Sequence, residues 1–421
     1  MKYKEKYPKS RTLQILILKF LNGPKFEKEI FEYLKKAIQL GNSASFKELS
    51  FIYSNKDKTR VMQNTLIKML STLKFFNSFD DKKKTKEPQS SFVWCHFFLS
   101  SHLDKFGKYD KALDIIETVI NTEKENIELL ILKAKILKHK DEIEKAAKVM
   151  IDAHLLDPLD KSLGCKCAKY MIRAGQIDKA LALLKTFDVS KDEENDSPCH
   201  WLLLELGKAY LKKEDYHSAI ERCLELKKSF ESIWEDQLDF HVFSLTRIRL
   251  CSYVELLRLE DEIYQNKDYE QTAQIAISIL LKVFDNKSSI INTNKNNNNQ
   301  SSNGTKKKGK NKSKNNHKTS DTCTKLLSDN LIKDPLEEAS KFLQPLQEMF
   351  SQHLSTHLSA FEIYWRKKKP LMMLQTVLRM QAIDKSNQKV IETVTKFYDY
   401  VSKNKSNFSE DVITVIKQIN V

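Results

Sequence analysis

Glycine and proline are both scarce: eight of each occur in 421 residues, about 2% apiece where ~7% and ~5% are usual. Strands and tight turns therefore have little punctuation, and helix is expected nearly throughout. No Gly-x-Gly occurs anywhere, which removes the dinucleotide fingerprint; the phosphate loop and the nucleophile elbow of a serine hydrolase are missing as well. No apolar run approaches the ~20 residues of a membrane span. The run from Leu13 to Leu18 is cut by Lys19 with no small-residue cleavage site behind it, so no signal peptide is expected. Seven cysteines, an odd number scattered through helical patterns, read as reduced, buried small hydrophobes of an intracellular protein. His353 and His357 have helical i, i+4 spacing, but Leu354 stands where a zinc protease needs Glu. Cys165-x-Cys167 is too tightly spaced for a zinc ligand pair. Neither a metal site nor an enzyme acting alone is expected.

What is present is a repeat. Ser100, Ala134 and Ala168 follow one another at 34 residues (134 − 100; 168 − 134), as do Ala112, Ala146 and Ala180 (146 − 112; 180 − 146). Gly207 and Ala219 keep the same mutual offset of twelve in a fourth unit. Paired small residues recurring at this period describe a helix-turn-helix whose helices touch where side chains are smallest, the tetratricopeptide pattern. Gly107 and Gly175 fall at its turn, Tyr210 fills its aromatic slot, and Asp157-Pro158 stops a second helix where proline is expected. The predicted fold is all-α: a tetratricopeptide-type α-α superhelix with a further C-terminal helical region. One repeat cannot bury its apolar face alone, so units stack and leave a concave surface suited to holding partners.

Five segments follow. Residues 1–86 are divergent helical repeats, with stripes Ile30, Phe31, Leu34, Ala37, Ile38 and Leu66, Ile67, Leu70, Leu73. Residues 87–237 hold the four units, with a five-residue surplus before the fourth (219 − 180 = 39, against 34) placed in a loop at Lys191 to Pro198. Residues 238–285 carry long helices; Asp239 to Asp261 has apolar residues on two sides, so a partner covers one. Residues 286–330, rich in Asn and Lys, cannot offset their ordering entropy and are expected to be disordered. Residues 331–421 return to helix, with Pro335 in a first turn, a stripe Phe342, Leu343, Leu346, Phe350, and a degraded repeat from Phe361 to Asp384.

The formal charge is +15, which points to an acidic partner such as RNA, phosphate or an acidic protein face. Nine lysines and no acid lie between Asn286 and Ser320. That tract contacts rRNA phosphates, serves as a nuclear signal, or merely solvates a linker; without aromatic residues it cannot stack bases. In the repeat register, Lys135, Lys138, His139, Lys169, Arg173, Lys208 and Lys212 fall on one inner wall with no acid among them. A solvated basic face and a polyanion pocket are both open readings of that wall.

Longer strings then carry a resemblance: Lys133-Ala-Lys-Ile-Leu-Lys-His139, Lys166-Cys-Ala-Lys-Tyr-Met171, Asp236-Gln-Leu-Asp-Phe-His241, Ser252-Tyr-Val-Glu-Leu-Leu-Arg-Leu-Glu-Asp261 and Pro335-Leu-Glu-Glu-Ala339. The sequence resembles the auxiliary subunit of the N-terminal acetyltransferase A (NatA) complex, from the first repeats to about Ile383 outside the Asn-rich insert. The resemblance implies a non-catalytic scaffold that wraps a GNAT-fold catalytic subunit, turns it toward Ser, Ala, Thr, Gly, Val or Cys N-termini, and holds it at the ribosome in the cytoplasm, with a nuclear pool. Acetyl-CoA would bind the partner, and neither DNA nor membrane is implied. The resemblance also implies inositol hexakisphosphate as a structural ligand, with Lys133, Lys138, Lys166, Lys169 and Tyr170 in that role; Lys135 and Arg173 join them from register. On the long helical stretch, Phe240, His241, Phe243, Arg247, Tyr253 and Leu256 are the expected partner contacts. The competing reading is an RNA- or ribosome-associated repeat adaptor without an acetyltransferase partner.

Overall fold

A computed structural model describes residues 6–7, 10–79, 86–187, 199–235, 253–254, 257–258, 262–298, 332–404 and 408–418, and the regular elements among them are helices. Two compact units result, Met1–Phe187 and Asp188–Val421. The division falls inside the four-repeat stretch, where the sequence spacing lengthens from 34 to 39 residues. The first unit holds α1 (Arg11–Phe20), α2 (Gly23–Gln39), α3 (Ala44–Glu48), a 3₁₀ turn (Leu49–Ser54), α4 (Lys56–Phe76), α5 (Gln89–Lys105), α6 (Tyr109–Ile120), α7 (Ile127–His139), α8 (Ile143–Leu156), α9 (Lys161–Arg173) and α10 (Ile177–Thr186). The second holds α11 (His200–Lys212), α12 (Tyr216–Glu235), a 3₁₀ turn (Ile263–Gln265), α13 (Lys267–Asn298), α14 (Pro335–Met349), α15 (Leu354–Arg366), α16 (Pro370–Ile383), α17 (Gln388–Lys403) and α18 (Glu410–Gln418).

One backbone device closes most of the hairpins. Gly107, Asp141, Gly175 and Glu214 all have positive φ, between 60° and 80°, and stand seven residues after the small residue of their repeat (107 − 100; 141 − 134; 175 − 168; 214 − 207). At each, the left-handed residue's N–H bonds three residues back and the next N–H five residues back, as in Asp141 N to Lys138 O and Glu142 N to Leu137 O, 3.1 and 2.9 Å. The paired bonds satisfy carbonyls that a helix end would otherwise orphan. Gly41 (φ 62°) and Lys368 (φ 55°) repeat the geometry outside the regular units. The turn thus recurs where glycine is lacking and the sequence signal is lost.

Beyond the turn the helices cross at the small residues. Ser100, Ala112, Ala134, Ala146, Ala168, Ala180 and Ala219 are fully buried. Ser100 Oγ donates to the Ala112 carbonyl at 2.8 Å, so serine ties its two helices where alanine merely lets them approach. In the Phe361–Asp384 repeat the equivalent places are Phe361 and Met373 (368 − 7; 361 + 12), both buried. This hairpin keeps the turn and buries large side chains where the regular repeats have small ones, which is why its sequence looks degraded.

In the N-terminal segment Ile30, Leu34, Ala37 and Ile38 are buried as expected. In the second stripe Leu66 and Leu73 are buried as expected, but Ile67 is 49% exposed, and Met62 and Met69 complete the buried face. Methionine at these positions fills the interior, so isoleucine is not needed there. Lys58, 8% exposed, donates from Nζ to the Leu18 and Lys19 carbonyls at the end of α1, 3.1 and 2.9 Å away.

In the second unit Phe342, Leu343, Leu346 and Phe350 are buried, and Asp334 caps α14 by accepting from Leu336 N at 2.9 Å, with Pro335 in the first turn. Residues 286–298, expected to be disordered, instead continue α13 as helix. Adding a residue to an existing helix is far cheaper than nucleating one, so the apolar run before Asn286 carries the helix into polar sequence. The rest of that insert, 299–330, lies outside the described residues, as does the loop placed at 191–198.

Candidate functional site

Helical spacing puts Lys135, Lys138 and His139 on one face of α7, and Lys166, Lys169, Tyr170 and Arg173 on one face of α9. The two faces come within electrostatic reach of each other. Burial holds the Lys138 ammonium below its ordinary proton affinity, and repulsion from Arg173, Lys135 and Lys169 lowers it further, with Asp104 opposing. Tyr170 is buried; burial raises its phenol, Arg173 pulls it down and Asp104 pushes it up. Lys169 and Arg173 are half-buried and Lys166 is exposed.

Lys133 does not belong to this cluster. At 3.6 residues per turn it lies on the opposite side of α7 from Lys135 and Lys138, where its Nζ meets Glu117 Oε1 of α6 at 2.9 Å. Lys208 and Lys212 belong to the second unit, where Lys208 Nζ donates to Gln271 Oε1 and Lys212 is exposed.

The wall also contains an acid that its register spacing should have shown. Asp104 occupies in the first repeat the place that Lys138 holds in the second (138 − 104 = 34). Its side chain is 2% exposed, with Oδ1 2.6 Å from His139 Nδ1 and Oδ2 3.3 Å from Lys135 Nζ. Behind it, the Tyr53 hydroxyl lies 3.0 Å from Nδ1 of the fully buried His102. Burial and the charge of Asp104 both raise the Tyr53 phenol, and burial brings His102 down to about 4. The first unit therefore presents cations on the leading helices of two successive repeats, α7 and α9, with one internal carboxylate beneath part of them. Such a surface suits an anion with several phosphate or carboxylate groups, because each lysine or arginine contact is charge-assisted.

Other expectations sort as follows. Of the partner contacts, Phe240, His241, Phe243, Arg247 and Leu256 lie outside the described residues, and Tyr253 is half-buried. His353 Nδ1 sits 2.7 Å from Glu270 Oε1, while His357 Nε2 sits 2.8 Å from the Ser351 carbonyl, so the pair faces separate partners. Cys167 is buried and Cys165 half-exposed. Among the described residues no group of three metal-ligating side chains gathers, and no helix is long and apolar enough to cross a membrane.

Comparison with known proteins agrees with this architecture. The model of the family "N-terminal acetyltransferase A, auxiliary subunit" matches residues 1–330 and 293–380. The chain is 33% identical over 456 residues to the human N-alpha-acetyltransferase 16, NatA auxiliary subunit, covering 98% of the chain and 52% of the relative. It is 30% identical over 421 residues to the Arabidopsis thaliana N-terminal acetyltransferase A complex auxiliary subunit NAA15, covering 94% and 47%. Among solved structures it is similar to "Structure of Naa15/Naa10 bound to HypK-THB", with a TM-score of 0.77 and 26% identity over 99% of this chain and 58% of that one. The chain spans about half the length of the curated relatives it matches. With its stacked hairpins and matches across nearly all its residues, the chain belongs to the family of N-terminal acetyltransferase A auxiliary subunits.

Proposed function

We propose that this chain is a non-catalytic scaffold that wraps a GNAT-fold acetyltransferase subunit and directs it to Ser, Ala, Thr, Gly, Val or Cys N-termini of nascent chains at cytoplasmic ribosomes. One observation carries the reading: 99% of the chain superposes on a relative whose solved structure is of Naa15 together with Naa10. Stacked helical hairpins give such a protein a large surface for holding a second one. The partner brings acetyl-CoA and the transfer chemistry.

In this reading the cluster of Lys135, Lys138, Lys169, Tyr170 and Arg173, with Lys166 at its edge, holds inositol hexakisphosphate. Lys138 supports that role, since burial and then repulsion from Arg173, Lys135 and Lys169 lower its proton affinity, a cost that a polyanion would relieve. Co-purification of the full chain with a GNAT subunit tests the scaffold. Lys138→Glu combined with Lys169→Glu tests the polyphosphate: loss of ligand binding and weaker activation of the partner are expected, and unchanged binding of both would refute it.

A further inference from the structure

We infer that Asp104 is an internal counter-anion of this site: it competes with the polyanion for the same cations and so limits how tightly the ligand is held. This rests on the polyphosphate reading above and adds a determinant of affinity to it. One buried carboxylate spends both oxygens on the basic wall, with Oδ2 3.3 Å from Lys135 Nζ and Oδ1 2.6 Å from His139 Nδ1. The fold itself does not ask for an acid there. The place of Asp104 on α5 is taken by Lys138 on α7 and by Ile172 on α9 (104 + 34; 138 + 34), so the same hairpin is built with an acid, a base or an aliphatic side chain at that position.

The influence of the carboxylate reaches past its two contacts. At Lys138 it opposes the repulsion from Arg173, Lys135 and Lys169, and it acts on Tyr170 of α9 as well. In part, then, Asp104 does for the cluster what a bound polyanion would do: it offsets the mutual repulsion of cations carried on two helices. Two anions that serve one set of cations oppose each other.

Tethering works in the other direction, because a carboxylate that holds a cation in place spares the ligand the cost of ordering it. That benefit is small for Lys135, whose side chain is 38% exposed and whose contact with Asp104 is the longer of the two. An ammonium group has three N–H donors, so Lys135 can turn one to a phosphate oxygen while keeping Asp104. The ligand therefore competes for charge rather than for hydrogen bonds. Asp104 is only 2% exposed, where salt screens a charge far less than at the surface, so its opposition to an incoming anion persists.

Calorimetric titration of the full chain with inositol hexakisphosphate tests the competition. Asp104→Asn keeps the shape of the side chain and removes its charge. It is expected to bind the ligand about tenfold tighter, the scale of one unit charge acting through an effective dielectric of about 20. The rise in melting temperature on adding ligand should then be larger than in the wild type. A residue that only holds the site together would give the opposite result, since its loss weakens binding. Weaker or unchanged binding by Asp104→Asn overturns the inference and leaves the site standing. Should Asp104→Asn show no cooperative unfolding transition by itself, the ligand must restore one, because it can stand in for the missing carboxylate; failure to restore it overturns the inference equally. No binding by the wild type, or binding undiminished by Lys138→Glu with Lys169→Glu, removes the site and the inference together.

Discussion

The recurring left-handed turn makes a prediction in which packing plays no part. Gly175 has φ 80°, and a Cβ added there would meet nothing within 4 Å. Gly175→Ala therefore reports backbone strain alone. A left-handed conformation costs an L-residue about 1–2 kcal/mol, while alanine saves about 0.5–1 kcal/mol of the chain entropy that glycine loses on folding. The net loss is then about 0.5–1 kcal/mol. Asp141, at the equivalent turn with φ 67°, should show the reverse: Asp141→Gly gains a similar amount, somewhat less because aspartate tolerates this region better than alanine. Urea unfolding would show the two midpoints moving in opposite directions with unchanged slopes. In thermal melts each shift should be roughly 1–4 °C, taking 2–4 °C per kcal/mol for units of 150–250 residues. A neutral Gly175→Ala, or two shifts of the same sign, would mean that these turns are not held left-handed and that the hairpins are not equivalent.

Three other outcomes are expected. Ala146→Leu forces a branched side chain into a fully buried crossing and should cost about 1–3 kcal/mol in the same urea assay; a neutral result would mean that the helices do not touch there. His102 is buried with its imidazole at about 4, below the unfolded value, and its Nε2 has no hydrogen-bond partner. Because the folded form resists protonation, the unfolded chain binds more protons between about pH 6.5 and 4, so stability should fall as pH drops through that window, by at most about 3 kcal/mol. His102→Gln should flatten that slope, and a slope unchanged in the variant would show that other groups produce it. Deleting residues 295–318 should weaken co-sedimentation with ribosomes while leaving binding of the catalytic subunit intact; loss of the complex itself would place the insert in the scaffold.

Where small residues dictate the geometry, the fold was legible in advance. Ala134 with Ala146 and Ala168 with Ala180 announce their hairpins because a close crossing admits little else. Where the backbone alone carries the geometry, the signal faded: Asp141, Glu214 and Lys368 adopt the same left-handed turn as Gly107 and Gly175 without its residue type. Ile67 was misplaced because apolar spacing alone does not say which of two adjacent stripes faces the core, and the methionines Met62 and Met69 were the deciding residues. Register found Lys135, Lys138 and Arg173 but passed over Asp104, since attention to one sign of charge hides the carboxylate at the same repeat position. Lys133, carried over from a matching string, sits on the wrong side of its helix, a fact that spacing alone could have revealed.

The scaffold reading is tested most directly by measuring acetyl transfer from acetyl-CoA to a peptide with an N-terminal serine, using this chain alone, the GNAT subunit alone, and the two together. No transfer by this chain alone and, on mixing, a stable complex with a changed transfer rate are expected. Transfer by this chain unaided, or a GNAT subunit that neither binds it nor changes its rate, would contradict the reading.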